Sequence, residues 1–275
     1  MRCAVLGDPI GHSLSPVLHR AAYAALGLDW SYEAVRVPSG GLAGFLAGLD
    51  DAWRGLSLTM PLKREVVALG PRWAGESSDV VRLTGAANTV VLDGDRLLLD
   101  NTDLPGAAAA IRERWDGDVS RAVVLGAGAT AASVGLAMCD LGAREVHLLA
   151  RSPGRAAETV AVVSAHASAP RVSVGGLDEP VSGDVVVSTI PVAAQTDDLV
   201  RRCGEVPVTF EVVYDPWPTP LAAAAEAGGR VLVGGLDLLV HQAVLQVERF
   251  TGTPGPLEVM RTAGAEALAA RVRSS

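Results

Sequence analysis

Arg121-Ala122-Val123-Val124-Leu125-Gly126-Ala127-Gly128-Ala129-Thr130-Ala131 is the stretch that decides how this chain folds. After Arg121 comes a short unbroken apolar run, the mark of a strand buried on both faces. From Ala129 the sequence turns alanine-rich and predicts a helix. The Gly-x-Gly between them allows a sharp turn and a close approach of backbone to a ligand. The helix N-terminus adds N–H donors and a partial positive charge, a combination suited to a pyrophosphate. The third glycine of the dinucleotide fingerprint is absent, and Ala131 stands in its place, which the motif tolerates. A tight strand-to-helix turn without any ligand has the same sequence signature.

The next strand sharpens this. It ends His147-Leu148-Leu149-Ala150-Arg151-Ser152-Pro153-Gly154-Arg155. A site for NAD normally carries Asp or Glu here to bind the ribose 2′-hydroxyl. Ala150 followed by Arg151, with Arg155 four residues on, suits a 2′-phosphate instead and favours NADP. Two solvated surface arginines are the plainer explanation of the same residues.

Outward from this unit, short apolar runs alternate with helical patterns. Cys3 to Leu6, Tyr32 to Val37, Gly55 to Leu58, Ala122 to Leu125, Val146 to Leu149, Val185 to Val187, Val208 to Val213 and Val231 to Val233 predict strands. Val17 to Leu26, Ala107 to Arg114 and Thr130 to Leu141 predict helices. The alternation implies an α/β fold with mostly parallel sheets. Near the end, Leu236, Leu239, Val240, Ala243, Val244, Val247 and Phe250 form the apolar stripe of an amphipathic helix. A further helix is expected from about Pro256 to Val272. The expected organisation is two domains: residues 104–235 as a Rossmann-like nucleotide domain, and residues 1–103 completed by 236–275 as the other.

Composition agrees. The 275 residues exceed one typical domain, and a hydrophobic fraction of 49% fills a core. A net charge of -8 disfavours nucleic acid as a partner and leaves small-molecule chemistry open. Cys3, Cys139 and Cys203 are too few and too scattered for a disulfide framework or a metal site, which fits a reducing, cytoplasmic setting. The opening apolar run is too short for a signal peptide, and no run of about 18 apolar residues predicts a membrane span.

Of the 23 Lys and Arg residues, only Lys63 is lysine, and Asn88 and Asn101 are the only asparagines. Arginine stays protonated near neutral pH, so a proton-transfer group is one place where it cannot replace lysine. Lys63 lies in Leu58-Thr59-Met60-Pro61-Leu62-Lys63, and two further polar elements follow apolar runs: Thr84-Gly85-Ala86-Ala87-Asn88-Thr89 and Leu99-Asp100-Asn101-Thr102-Asp103. At the strand ends of an α/β sheet, Lys63, Asn88 and Asp103 would line a ligand crevice. A helix N-cap is the alternative role for Asp103. Upstream, Ser13 and Ser15 place two hydroxyls in one loop, suited to a carboxylate or polyol. Ser15 before Pro16 also predicts an N-cap with proline at the first helical position. His12 and His19 are expected to be structural or exposed.

These segments resemble the shikimate dehydrogenase family. The resemblance is carried by Gly7-Asp8-Pro9-Ile10-Gly11-His12-Ser13-Leu14-Ser15-Pro16, Thr59-Met60-Pro61-Leu62-Lys63, Gly85-Ala86-Ala87-Asn88-Thr89, Asp100-Asn101-Thr102-Asp103 and Gly126-Ala127-Gly128. Val212-Val213-Tyr214, Pro218-Thr219-Pro220 and Gly235-Leu236-Asp237-Leu238-Leu239-Val240-His241-Gln242-Ala243 extend it over almost the whole chain. It implies NADP-dependent interconversion of shikimate and 3-dehydroshikimate, in the route to aromatic amino acids. It also implies that Ser13 and Ser15 bind the substrate carboxylate, and that Thr59, Lys63, Asn88, Asp103, Tyr214 and Gln242 surround the ring. Lys63 would be the acid/base, with Asp103 as its catalytic partner. Gly126, Ala127, Gly128, Ala129, Thr130, Ala150, Arg151, Ser152, Arg155, Val212 and Gly235 would contact NADP, and no metal is implied. Asp79 matches a position sometimes placed near the cofactor. The chain departs from the family pattern at Ser57 and Ala150, where Asn is usual, at Ser188-Thr189-Ile190-Pro191, and at Leu238. A paralogue acting on quinate and a non-catalytic binding protein on the same fold are the alternatives. Monomer and homodimer are both left open.

Overall fold

A computed structural model describes residues 1–70, 74–94 and 96–274. The chain forms two compact units, Met1–Thr102 with Leu239–Ser275 and Asp103–Leu238. The fold is α/β, with two six-stranded sheets.

The first unit runs β1 (Arg2–Gly7), α1 (Ser15–Ala25), β2 (Ser31–Arg36), α2 (Leu42–Ala47), β3 (Trp53–Leu58), α3 (Leu62–Ala68), β4 (Ala74–Ser77), α4 (Asp79–Thr84), β5 (Thr89–Asp93) and β6 (Arg96–Asp100). Its sheet has the order β2-β1-β3-β5-β6-β4. β1 is parallel to β2 and β3, whereas β5 is antiparallel to both β3 and β6. Three of the five pairs in this sheet are parallel, and β5 alone runs against its neighbours. A parallel crossover takes a dozen residues or more, and the link from Asp93 to Arg96 is a hairpin with Gly94 at φ 59°. β4, β5 and β6 are not among the expected strands, although β5 and β6 carry the apolar runs Val90-Val91-Leu92 and Leu97-Leu98-Leu99.

One face of this sheet packs Leu6, Leu56, Leu58, Val90 and Leu99 against Leu42 and Leu46 of α2, Leu62 and Val66 of α3 and Val81 of α4. On α10 (Gly235–Thr251), the part from Leu239 onward belongs to the first unit. There Val240, Ala243, Val247 and Phe250 of the predicted stripe are fully buried. The Phe250 ring lies so close over Gly55 of β3 that any Cβ at Gly55 would run into it. Arg54 Nε donates to the Phe250 carbonyl at 2.9 Å. α11 (Leu257–Ser274) packs along α1.

The second unit contains α5 (Asp103–Arg114), β7 (Arg121–Leu125), α6 (Ala129–Asp140), β8 (Glu145–Leu149), α7 (Ala157–Ser164), β9 (Arg171–Gly175), β10 (Val185–Ser188), α8 (Asp197–Arg202), β11 (Val208–Glu211), α9 (Pro220–Ala227) and β12 (Val231–Val233). All its strand pairs are parallel, in the order β12-β11-β10-β7-β8-β9. Counted from β7, this is the doubly wound order 3-2-1-4-5-6 of dinucleotide-binding sheets. α5 starts at Asp103, ahead of the expected Ala107, because Pro105 falls in the first turn, where its missing N–H has no partner to lose. β9 escaped notice because its residues at the sheet edge alternate between exposed and half-buried. β11 stops at Glu211, short of the expected Val213, because the Val213 N–H turns to the Glu211 carboxylate at 3.0 Å.

Candidate active site

In the first sheet, antiparallel β5 brings its own start to the edge where β1, β3 and β6 end. Four loops meet there. The strand order reverses between β1 and β3, which is where α/β sheets open a crevice. The loops are zipped by their backbones. Thr59 N–H donates to Leu6 O at 2.9 Å, Asp8 N–H to Met60 O at 2.9 Å, Leu58 N–H to Asn88 O at 2.7 Å, and Asn88 N–H to Asp100 O at 3.1 Å. Gly7 has no room for a Cβ, which would meet the Thr59 methyl and the Met60 carbonyl. Lys63 sits half-buried in the first turn of α3. Its carbonyl accepts from Ala87 N–H at 2.8 Å, so the Asn88 loop is registered directly on the lysine's helix.

Asn88 is 1% exposed, and the direction of its amide follows from obligate donors. Its Oδ1 accepts from Thr102 N–H at 2.8 Å and from Thr89 Oγ1 at 2.7 Å. Its Nδ2 therefore faces Thr102 Oγ1 at 2.9 Å and Gln242 Oε1 at 3.2 Å. Gln242 is oriented in turn by donating from Nε2 to Leu239 O at 3.0 Å. Asn101 takes a structural place, donating to Ala86 O at 2.9 Å and bracing the same loop.

Residue reasoning passed over Gln246, one helical turn beyond Gln242. Its Nε2 donates to Asn88 O at 3.1 Å and Thr89 Oγ1 at 3.0 Å. Its Oε1 accepts from Ser57 Oγ at 2.8 Å and faces His19 Nε2 at 3.3 Å. Tyr32 donates to Ser57 Oγ at 2.6 Å, and His19 stacks on the Tyr32 ring at 4.0 Å. Ser57 is thus the midpoint of a buried chain from Tyr32 to Gln246. Burial pushes the His19 imidazole down to about 3, opposed only by its bond to Gln246. The available signal was two glutamines four apart on an otherwise apolar stripe.

At the Ser13–Ser15 loop the expected cap is not found. α1 begins at Ser15 itself, the N-cap position is Leu14, and no side chain caps the helix from it. Ser13 Oγ instead accepts from Ser15 N–H at 3.3 Å, so the preceding serine braces the turn and Ser15 is buried. Asp79 pairs with Arg82 on the surface of α4.

In the second unit the glycine turn follows β7, where the strand order reverses between β7 and β10. Gly126 has φ 116°, a conformation that favours glycine, and its N–H donates to Leu149 O at 2.8 Å. α6 has Gly128 at its N-cap and no side-chain cap, leaving the first N–H groups of Ala129 and Thr130 for an anion. Ala127 O accepts from Thr159 Oγ1 at 2.9 Å. Ala131, in the third glycine's place, is fully buried against the sheet. Thr189 donates from Oγ1 to Leu125 O at 2.8 Å and lies directly over Gly126, so the Ser188–Pro191 departure roofs this turn.

Ala150 is buried, whereas Arg151, Ser152 and Arg155 are exposed around a turn closed by Arg155 N–H to Ser152 O at 2.9 Å. Val212 donates its N–H to Ser188 O at 3.1 Å. Gly235, the first residue of α10, meets the Val212 carbonyl where a Cβ would not fit. Tyr214 is half-buried beyond β11, and Asp103 is a buried residue at the start of α5. Arg114 Nη2 donates to Asp237 Oδ1 at 2.9 Å, and Asp237 Oδ2 accepts from Gly234 N–H at 2.9 Å, tying α5 to the start of α10.

Known proteins share this fold. Residues 5–90 match the shikimate dehydrogenase substrate binding domain, and residues 235–263 the shikimate 5′-dehydrogenase C-terminal domain. The chain is 35% identical to the shikimate dehydrogenase (NADP(+)) of Symbiobacterium thermophilum, over 96% of this chain and 93% of that one. It superposes on the crystal structure of Mycobacterium tuberculosis shikimate dehydrogenase with a TM-score of 0.86 and 36% identity, covering 97% of this chain and 99% of that one. The shikimate 5-dehydrogenase of Thermus thermophilus in complex with NADP(H) and shikimate gives a TM-score of 0.85 at 31% identity, covering 98% and 100%.

Proposed function

The chain belongs to the shikimate dehydrogenase family, and we propose that it interconverts shikimate and 3-dehydroshikimate with NADP. The observation that carries this is the common edge of the first sheet, where the Ser13–Ser15 turn, Thr59, Lys63 and the directed amides of Asn88 and Gln242 are held by buried hydrogen bonds. Hydroxyl and amide donors at that edge suit a carboxylated polyol ring. Asp103 and Tyr214 complete the substrate set. NADP fits the second unit on three features: the positive φ of Gly126, the uncapped start of α6, and exposed Arg151 and Arg155 in place of an acidic residue. Val212 and Gly235 would flank its nicotinamide end.

Bound NADP supplies the hydride acceptor. The remaining task is to take the proton from the hydroxyl oxygen borne by the carbon that gives up hydride, and we assign it to Lys63, with Asp103 stabilising the ammonium that results. The serines hold the carboxylate, and Asn88 and Gln242 orient the ring. No helix among the described residues is long and apolar enough to cross a membrane. The three free cysteines suit a reducing compartment, and on that ground we assign the enzyme to the cytoplasm, as a monomer or homodimer. Steady-state turnover with shikimate and NADP, against quinate and against NAD, tests the assignment. The expected result is a kcat/KM for shikimate with NADP well above the other pairings. Preference for quinate would make the chain a paralogue with that substrate, and no turnover with either would leave a binding protein.

A further inference from the structure

One carboxylate has no part in this chemistry. Glu211, the last residue of β11, is fully buried, and among the described residues no Lys, Arg or His pairs with it. Its Oε1 accepts from Val213 N–H at 3.0 Å. Its Oε2 accepts from Gln195 Nε2 at 2.6 Å and from Thr219 Oγ1 at 3.0 Å.

The directions of these bonds are determined. Gln195 Oε1 accepts from Leu221 N–H at 3.1 Å, so its Nε2 must be the end that faces Glu211. Thr219 Oγ1 already accepts from Ala222 N–H at 3.2 Å, capping α9 and leaving its own proton for Glu211. Donors therefore face both oxygens, and only a group that accepts on both can match them. An amide of the same shape would turn its N–H₂ toward a donor in either orientation. Burial raises the Glu211 pKa above the ordinary carboxylate value, and these donors oppose that rise.

The geometry also shows what is being held. Val213 opens the loop after β11 and Thr219 closes it, so one carboxylate ties both ends together. Through Gln195 it also ties the segment that follows β10. Val212, next to this tie, is where the backbone of Gly235 makes its close approach.

We propose that Glu211 is a positioning residue, whose carboxylate fixes the Val213–Thr219 loop and, through Val212 and Gly235, sets the affinity of the second unit for NADP. The link to NADP rests on the cofactor role assigned above to Val212 and Gly235.

The test uses the full-length protein with Glu211→Gln, Glu211→Asp and the milder Thr219→Val, which removes one donor, together with the side-chain cap of α9, and keeps the carboxylate. Hydrogen exchange at Val213 and Tyr214 reads the loop, and direct titration with NADP reads affinity. In Glu211→Gln, exchange at these two amides should accelerate by about tenfold or more while β7 and β8 keep their protection. The Kd and KM for NADP should rise about tenfold, with kcat changing much less. Glu211→Asp should recover part of the loss, and Thr219→Val should show a smaller shift in the same direction. If Glu211→Gln does not fold, Thr219→Val alone decides. Unchanged exchange at Val213, uniformly faster exchange throughout the sheet with normal KM, or a loss of kcat at constant KM would each overturn the proposal. Wild-type titration and turnover are read separately. A wild-type chain that neither binds NADP nor turns over shikimate defeats the functional assignment, whereas the ratio of variant to wild type addresses Glu211 alone.

Discussion

Lys63 carries the sharpest residue-level prediction. Lys63→Arg keeps a cation at the start of α3 but has no removable proton near neutral pH, and Lys63→Ala loses both. If the Lys63 amine accepts the hydroxyl proton, both variants should lose roughly 10²–10⁴-fold in kcat. A Lys63→Arg enzyme near wild-type rate would reduce the residue to a binding role. His19 makes a different prediction, about pH. Its native pKa is depressed to about 3 by burial, below the ordinary 6.5. As pH falls from about 6.5 toward 3, the unfolded chain takes up a proton that the native imidazole refuses. Stability is therefore lost on acidification, by roughly 1.4 kcal/mol per pH unit at most. Urea melts of wild type and His19→Gln across this window should show a flatter pH slope in the variant, and equal slopes would contradict the buried neutral imidazole. Lys63 and Asn88 stood out in the sequence because their residue types are so rare here. Gln246 and Glu211 did not, because a polar residue in an apolar run shows its burial only once its neighbours are in place.

At the scale of elements, two contacts decide more than their size suggests. Gly55 of β3 admits the Phe250 ring of α10 because it lacks a Cβ. Gly55→Ala should cost about 1–3 kcal/mol through overpacking, measured as a lowered denaturation midpoint with little change in the slope of the transition. The turn after β8 governs cofactor choice. Arg151 and Arg155 are exposed, and charge-assisted bonds to a 2′-phosphate are worth roughly 1.5–3 kcal/mol each when well formed. Replacing both with Ala should raise the KM for NADP far more than the KM for NAD, and equal effects would mean that the arginines do not read the phosphate. The strands that periodicity missed have different causes. β9 is an edge whose apolar residues alternate with polar ones, whereas β5 and β6 do carry three-residue apolar runs, Val90-Val91-Leu92 and Leu97-Leu98-Leu99, which are too short on their own to tell strand from loop.

For the whole molecule, the return of the chain to its starting unit has an energetic reason. Beyond Leu239, α10 and α11 cover α1 and β3 and bring Gln242 and Gln246 to the amide network around Asn88. A chain ending at Leu238 would leave this apolar face of the first sheet open and Asn88 short of a partner. It should lose the cooperative unfolding of the Met1–Thr102 unit while the Asp103–Leu238 sheet persists, as read by limited proteolysis and thermal melts followed by circular dichroism. Protection of Met1–Thr102 against protease in that truncated chain would show that the return helices are dispensable.

Periodicity, turn chemistry and residue rarity were enough to identify an α/β chain, a strand–glycine–helix nucleotide turn, and Lys63 and Asn88 as residues of interest. These are local properties, written in spacings of a few residues. Tertiary structure alone decided that β5 runs antiparallel and so brings Asn88 to the edge where β1 and β3 end. It alone decided that Ser13, not Ser15, braces the first turn, and that Gln246 and Glu211 are buried and directed. The physical reason is that a hydrogen bond's direction depends on which donors have no other acceptor. That is settled only when residues far apart in the chain, such as Asn88 and Gln246, are brought together away from water.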